Sequence, residues 1–119
     1  MTSLILAEHD NKVLKPSTLH TITAAAKLGQ PVTVLVAGHD CAAVAAEVAT
    51  VQGVSDVLLA DDVAYVNFLA ENMAVLIAKL APSYTHILAP ATSFGKNILP
   101  RAAGLEEALG TIRTRGARG

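Results

Sequence analysis

Apolar residues arrive along this chain in short blocks, set apart by polar, proline and glycine joints, and the blocks alternate in kind. Leu4 to Ala7 is a continuous apolar run that stops at the turn-forming cluster Glu8-His9-Asp10-Asn11, so it predicts a buried strand and a loop. Pro16, Ser17 and Thr18 then signal a helix start. Leu19, Ile22 and Ala26 share one face of that helix, and Gly29 closes it in the position favoured for a left-handed cap. Pro31 to Ala37 is rich in β-branched residues and bounded by Gly29 and Gly38, the composition of a strand covered on both faces. Asp40 is placed to cap a second helix with Val44, Ala45 and Val48 as its stripe. Gly53 ends that segment before a third strand, Val57 to Ala60, which is followed by Asp61 and Asp62.

Leu69, Met73, Leu76, Ile77 and Leu80 keep helical spacing through a third helix that Pro82 ends, and Ile87 to Ala89 reads as a fourth strand. A fourth helix starts between Ser93 and Ile98. Pro100 bears on where: it would stand inside a helix begun at Ser93, but is tolerated in the first turn if Asn97 is the cap, so the later start is expected. This alternation predicts an α/β fold: a Rossmann-like parallel sheet with helices on both faces, three layers deep, in a single domain. Neither an internal repeat nor a linker interrupts residues 1–105. After Leu105 apolar periodicity fades and three arginines follow Glu107 without another acid, so residues 106–119 are expected to form a divergent, flexible tail.

Composition narrows the function classes. The 119 residues are 52% apolar and 16% charged, enough for one core that buries roughly 65% of the unfolded surface. Net charge is -1 and aromatic residues are 3%, which argues against nucleic-acid binding: neither a phosphate-neutralising surface nor a stacking platform is present. No apolar run approaches the roughly 20 residues that span a bilayer, and Glu8 comes too early for a secretory signal, so a soluble protein without membrane insertion is expected. Cys41 is the single cysteine, which suits a reducing compartment and a small buried thiol near a helix start.

Candidate chemistry concentrates between His86 and Arg101, where a strand gives way to a loop and a helix start. Loops at the carboxyl ends of parallel strands are where ligands and partners gather. Gly95-Lys96 invites a phosphate-loop reading, yet that motif needs a glycine five positions earlier, where Pro90 stands, and Ser or Thr after the lysine, where Asn97 stands. His9, His20, His39 and His86 show no paired metal-ligand spacing, so no metal is expected. His9 and His39 follow strands at corresponding loop positions and read as solvated loop residues on one rim. Glu8, Asp10, Asp40, Asp61 and Asp62 share that rim, and helix capping accounts for Asp40 and for Asp61 or Asp62. Gly-x-Ser-x-Gly is absent, and no catalytic residue is assigned.

The residues also carry a family resemblance. Leu4-Ile5-Leu6-Ala7-Glu8-His9, Leu19 to Gly29, Val34 to Gly38, and above all Ala91-Thr92-Ser93-Phe94-Gly95-Lys96-Asn97-Ile98-Leu99-Pro100-Arg101 resemble the amino-terminal domain of electron transfer flavoprotein alpha subunits. The resemblance covers about residues 1 to 105. It implies a heterodimer with a beta subunit, carrying FAD and moving electrons from acyl-CoA and related dehydrogenases to a membrane quinone oxidoreductase, in the bacterial cytoplasm or the mitochondrial matrix. It further implies that the FAD site lies in a following domain, so that no cofactor is expected on this chain alone. Ser93, Phe94, Gly95, Lys96, Asn97, Pro100 and Arg101 are then structural or interface residues of the motif. If the family's sheet continues beyond the fourth strand, Ile87 to Ala89 sits beside an open position, and self-association or marginal stability follows. The rival function is a small nucleotide-binding regulatory domain of the universal-stress-protein kind, which shares the architecture but depends on a glycine-rich phosphate loop this chain lacks.

Overall fold

The computed structural model describes residues 2–108. Four strands and four main helices alternate: β1 Ser3–Leu6, α1 Pro16–Ala26, β2 Val32–Gly38, α2 Ala42–Ala49, β3 Asp56–Asp61, α3 Ala70–Leu80, β4 His86–Leu88 and α4 Ser93–Ala108. The strands form one parallel sheet in the order β3-β2-β1-β4. The expected Rossmann-like α/β sheet with helices on both faces is therefore the fold of this chain.

Strand alternation splits the core into two halves. Leu4, Leu6, Leu35 and Ile87 face one side, where Met73 and Ile77 of α3 and Ile98 and Leu99 of α4 cover them. Ile5, Val32, Val34 and Val36 face the other, against Ile22 and Ala25 of α1 and Val44 and Val48 of α2. β2 is buried at every position, as its run rich in β-branched residues leads one to expect, while β3 at the sheet edge is a mixture of exposed and half-buried positions. β4 is the opposite edge.

Several local expectations need correction. Leu19 is 42% exposed and Ala26 is exposed too, so of the expected stripe only Ile22 is buried, and α1 packs Thr18, Ile22 and Ala25 inward. Leu69 is 57% exposed, standing ahead of α3 at its N-cap rather than on the helix's inner stripe. Asp40 does not cap α2. It sits at φ +51, and the carboxylate of Asp61, arriving from the end of β3, accepts from the backbone N–H groups of Asp40 (2.9 Å) and Cys41 (3.3 Å). Pro100 lies inside α4, which begins at Ser93 and not at Asn97. The early start has a visible cause: the Lys96 N–H already donates to the Thr92 carbonyl at 2.9 Å, so a first turn closes ahead of Asn97. The helix then forgoes the bond that a residue with an N–H at position 100 would make to Lys96. The backbone of α4 continues to Ala108; the expected tail beyond it lies outside the described residues.

Candidate functional site

The strand order reverses between β1 and β4: from β1 the chain winds through α1 to β2 and β3, then α3 carries it back across the sheet to β4. The crevice outside the carboxyl ends of β1 and β4 is thus the topological switch point, the usual ligand position in open α/β sheets. Here it holds a side chain. Glu8 leaves β1 after Ala7, and one carboxylate oxygen, Oε1, accepts from Ser17 Oγ in the first turn of α1 and from Thr92 Oγ1 ahead of α4, each at 3.0 Å. Its backbone is tied down as well: Glu8 N–H donates to Thr18 Oγ1 at 2.9 Å, and its carbonyl accepts from Lys15 N–H at 2.9 Å.

Beyond Thr92, the motif run winds into α4. Thr92 N–H donates to the Pro90 carbonyl at 2.7 Å, folding the chain back tightly, and Gly95 packs directly over that carbonyl. A Cβ at Gly95 would collide with the Pro90 carbonyl oxygen and stand 3.0 Å from Ala89 Cβ, so glycine is required by space rather than for phosphate binding. Phe94 is half-buried, with its ring 6.5 Å from Phe68. Ser93, Lys96, Asn97, Pro100 and Arg101 are all exposed, and their spacing places them along one face of the helix. Arg101 Nε donates to Asn97 Oδ1 at 3.2 Å, and Arg101 also stands 3.9 Å from the Glu71 carboxylate of α3. A shallow groove of about 450 Å³ adjoins this stripe between α3 and α4, lined by Glu71, Ala74, Val75, Arg101, Gly104 and Leu105.

The two rim histidines part company. His9 is not a solvated loop residue but 4% exposed. Asn11 N–H donates to its Nδ1 and its Nε2 lies 2.9 Å from the Ala37 carbonyl, which fixes the neutral tautomer with the proton on Nε2. Burial lowers its pKa below the ordinary 6.5, against the opposing influences of the Ala37 bond and the Asp10 charge. Phe68 meets the ring edge-on at 5.1 Å. His39 stays half-exposed, 3.5 Å from Asp40 and 3.7 Å from Asp61. Asp40 and Asp61 could join it around a cation, but both carboxylates are exposed and Asp61 is committed to the start of α2. Cys41 is fully buried beside this cluster, as expected, and burial, with the Asp61 charge, raises its thiol pKa.

Sequence reasoning placed Glu8 and His9 on the rim but missed their roles, a cross-link and a buried ring. Both sit in the polar cluster after β1, and the absence of glycine from residues 8–15 is the signal that the loop is filled by its own side chains.

Comparison with known proteins decides the family. Residues 3–108 match the model of the electron transfer flavoprotein domain. The chain belongs to the electron transfer flavoprotein family. It is 53% identical over 105 residues to the electron transfer flavoprotein subunit alpha of Pseudomonas aeruginosa, which covers 88% of this chain and 34% of that protein. Identity is 48% over 112 residues to the mitochondrial alpha subunit of Dictyostelium discoideum, covering 87% of this chain and 32% of the relative. With a probable mitochondrial alpha subunit of Caenorhabditis elegans it is 43% over 104 residues, covering 86% and 31%. The chain thus spans about a third of the length of these curated relatives. Among the described residues no helix is long and apolar enough to cross a membrane.

The family name brings a flavin into question, and the switch point allows a test of fit. A dinucleotide there would set its pyrophosphate at the crevice, cradled by a glycine-rich turn. In this domain that crevice holds the Glu8 carboxylate, already bonded to Ser17 and Thr92, and the turn after β1 has no glycine. A negative group on that spot repels phosphate, so these residues do not fit a flavin dinucleotide.

Proposed function

We propose that this chain is the amino-terminal scaffold and partner-binding domain of an electron transfer flavoprotein alpha subunit, with no catalytic residue of its own. The parent would be a heterodimer with a beta subunit that passes electrons from acyl-CoA and related dehydrogenases through FAD, held elsewhere in the alpha subunit, to a quinone oxidoreductase of the respiratory chain. It would work in the cytoplasm of a bacterium or the matrix of a mitochondrion. The observation that carries the reading is the stripe on α4: Ser93, Lys96, Asn97, Pro100 and Arg101 form an exposed helix face within a domain of this family. Residues so exposed contribute little to the core, and two of them are cations, which suits docking against an acidic patch on the beta subunit.

β4 is the second feature the reading explains. The outer edge of β4 is a place for a further strand of the same protein, and without that cover it favours self-association. A nucleotide-binding regulator of the universal-stress-protein kind is not favoured, since the family match runs along nearly the whole domain and Glu8 holds the phosphate position. The test is to mix the purified chain with an electron transfer flavoprotein beta subunit and FAD and to follow size and flavin absorbance through gel filtration. Co-elution with the beta subunit without flavin on this chain is expected. Stoichiometric flavin on the isolated chain, or no association at all, would sink the proposal.

A further inference from the structure

We infer that Glu8 is the positioning residue of the docking helix: a carboxylate cross-link at the switch point, set where a ligand anion would be, that fixes the first turn of α4. The inference rests on the docking reading of α4 given above, and deepens it.

β4 is only three residues long and lies at the sheet edge, so its pairing with β1 ends at Leu88. Between Leu88 and the helix lie Ala89, Pro90, Ala91 and Thr92. Within these four, Ala91 is exposed, and Pro90, though buried, has no N–H to give and spends its carbonyl on Thr92 itself. A hydrogen bond ties this junction to the β1–α1 side: the Thr92 hydroxyl reaches Glu8 across 84 positions of sequence. Thr92 is also the residue whose carbonyl accepts the Lys96 N–H. Whatever fixes Thr92 therefore fixes the first turn of α4, and with it Ser93, Lys96 and Asn97. Glu8 is itself well anchored, because Ser17 donates to the same oxygen and Thr18 and Lys15 hold its backbone on both sides. An ionised acceptor shared by two hydroxyls makes stronger bonds than a neutral one would.

The decisive measurement is amide hydrogen exchange on the full chain, comparing wild type with Glu8→Ala, Glu8→Gln, Thr92→Val and the Glu8→Ala/Thr92→Val double variant. In Glu8→Ala, protection of the Lys96 and Asn97 amides, the first to close turns of α4, should fall on the order of tenfold, a factor worth about 1.4 kcal/mol. Protection in β2 should stay as it was. Glu8→Gln, whose amide oxygen can accept both hydroxyls, should recover most of the loss, and the double variant should lose no more than Glu8→Ala alone. Thr92→Val, nearly isosteric, keeps the test open if Glu8→Ala fails to fold. Unchanged protection in α4, a loss spread equally over β2, or additive losses in the double variant would each overturn the cross-link. Affinity for the beta subunit should drop in parallel with α4 protection. A loss of protection with unaltered affinity would instead support the cross-link and overturn α4 as the docking face.

Discussion

The same dipeptide follows two adjacent parallel strands and meets two different fates. His9-Asp10 leaves β1 and His39-Asp40 leaves β2, yet the His9 ring is 4% exposed and hydrogen-bonded at both nitrogens, while the His39 side chain is 39% exposed beside two carboxylates. What differs is what each loop borrows from the other. Gly38, just before His39, leaves the space that the His9 ring fills: a Cβ there would stand 2.8 Å from His9 Cε1 and collide with Asn11 Oδ1. Asn11 then donates from Nδ2 to the Val66 carbonyl and accepts from His39 N–H, so the first loop stitches itself to the second and to the segment carrying Phe68. His39 has only the edge strand β3 beyond it. Local sequence is equal in the two dipeptides; burial is set by the neighbours.

The largest break in that comparison should come from removing the two rings in turn. His9→Ala leaves a cavity against Phe68 and strands the Ala37 carbonyl and Asn11 N–H, and should cost about 3 kcal/mol in urea unfolding. His39→Ala should fall within about 0.5 kcal/mol of wild type, as exposed substitutions do. Equal losses would mean that His9 is not a core residue.

Gly38→Ala comes next, at about 1–3 kcal/mol, because the added methyl must displace His9 or Asn11. In a His9→Ala background the ring is gone and the methyl has room, so the cost should shrink by a measurable coupling energy. Strict additivity would show that Gly38 is needed for some reason other than the ring. On the second loop, Asp61→Ala should cost about 1 kcal/mol through loss of the acceptor for Asp40 and Cys41 N–H.

These pairs show why some of the molecule could be read from its sequence and some could not. The alternation of elements was legible because period-2 and period-3.6 patterns are local, and β2 announced its full burial through a nearly continuous apolar run rich in β-branched residues. The motif run that opens α4 was legible as a resemblance. Pro100 misled because a local rule about helix interiors lost to a first turn already closed by Thr92 and Lys96. Leu19 misled because helical spacing gives a stripe but not its rotation against the sheet. Glu8 and His9 were opaque for a different reason: their deciding partners, Thr92, Ala37 and Phe68, are far along the chain, and no periodicity links them.

The smallest effect should appear as a slope rather than a loss. Burial lowers the pKa of folded His9, whereas the unfolded chain takes up that proton at the ordinary 6.5. Between the two values the unfolded state binds more protons, so stability rises with pH across that window. The His9 contribution is complete above 6.5, is lost as pH falls from there to the folded-state pKa, and is constant below it. Asp10, the neighbouring charge, narrows the window by favouring the protonated ring. Proton NMR of the ring followed against pH tests this directly, with urea midpoints at pH 7.5 and about 5, above the range where most carboxylates titrate, as the second reading. A His9 ring that titrates at or above 6.5 would contradict the buried neutral imidazole. It would also remove the distinction between the two loops, because a ring that accepts a proton so readily cannot be receiving the Asn11 N–H on Nδ1.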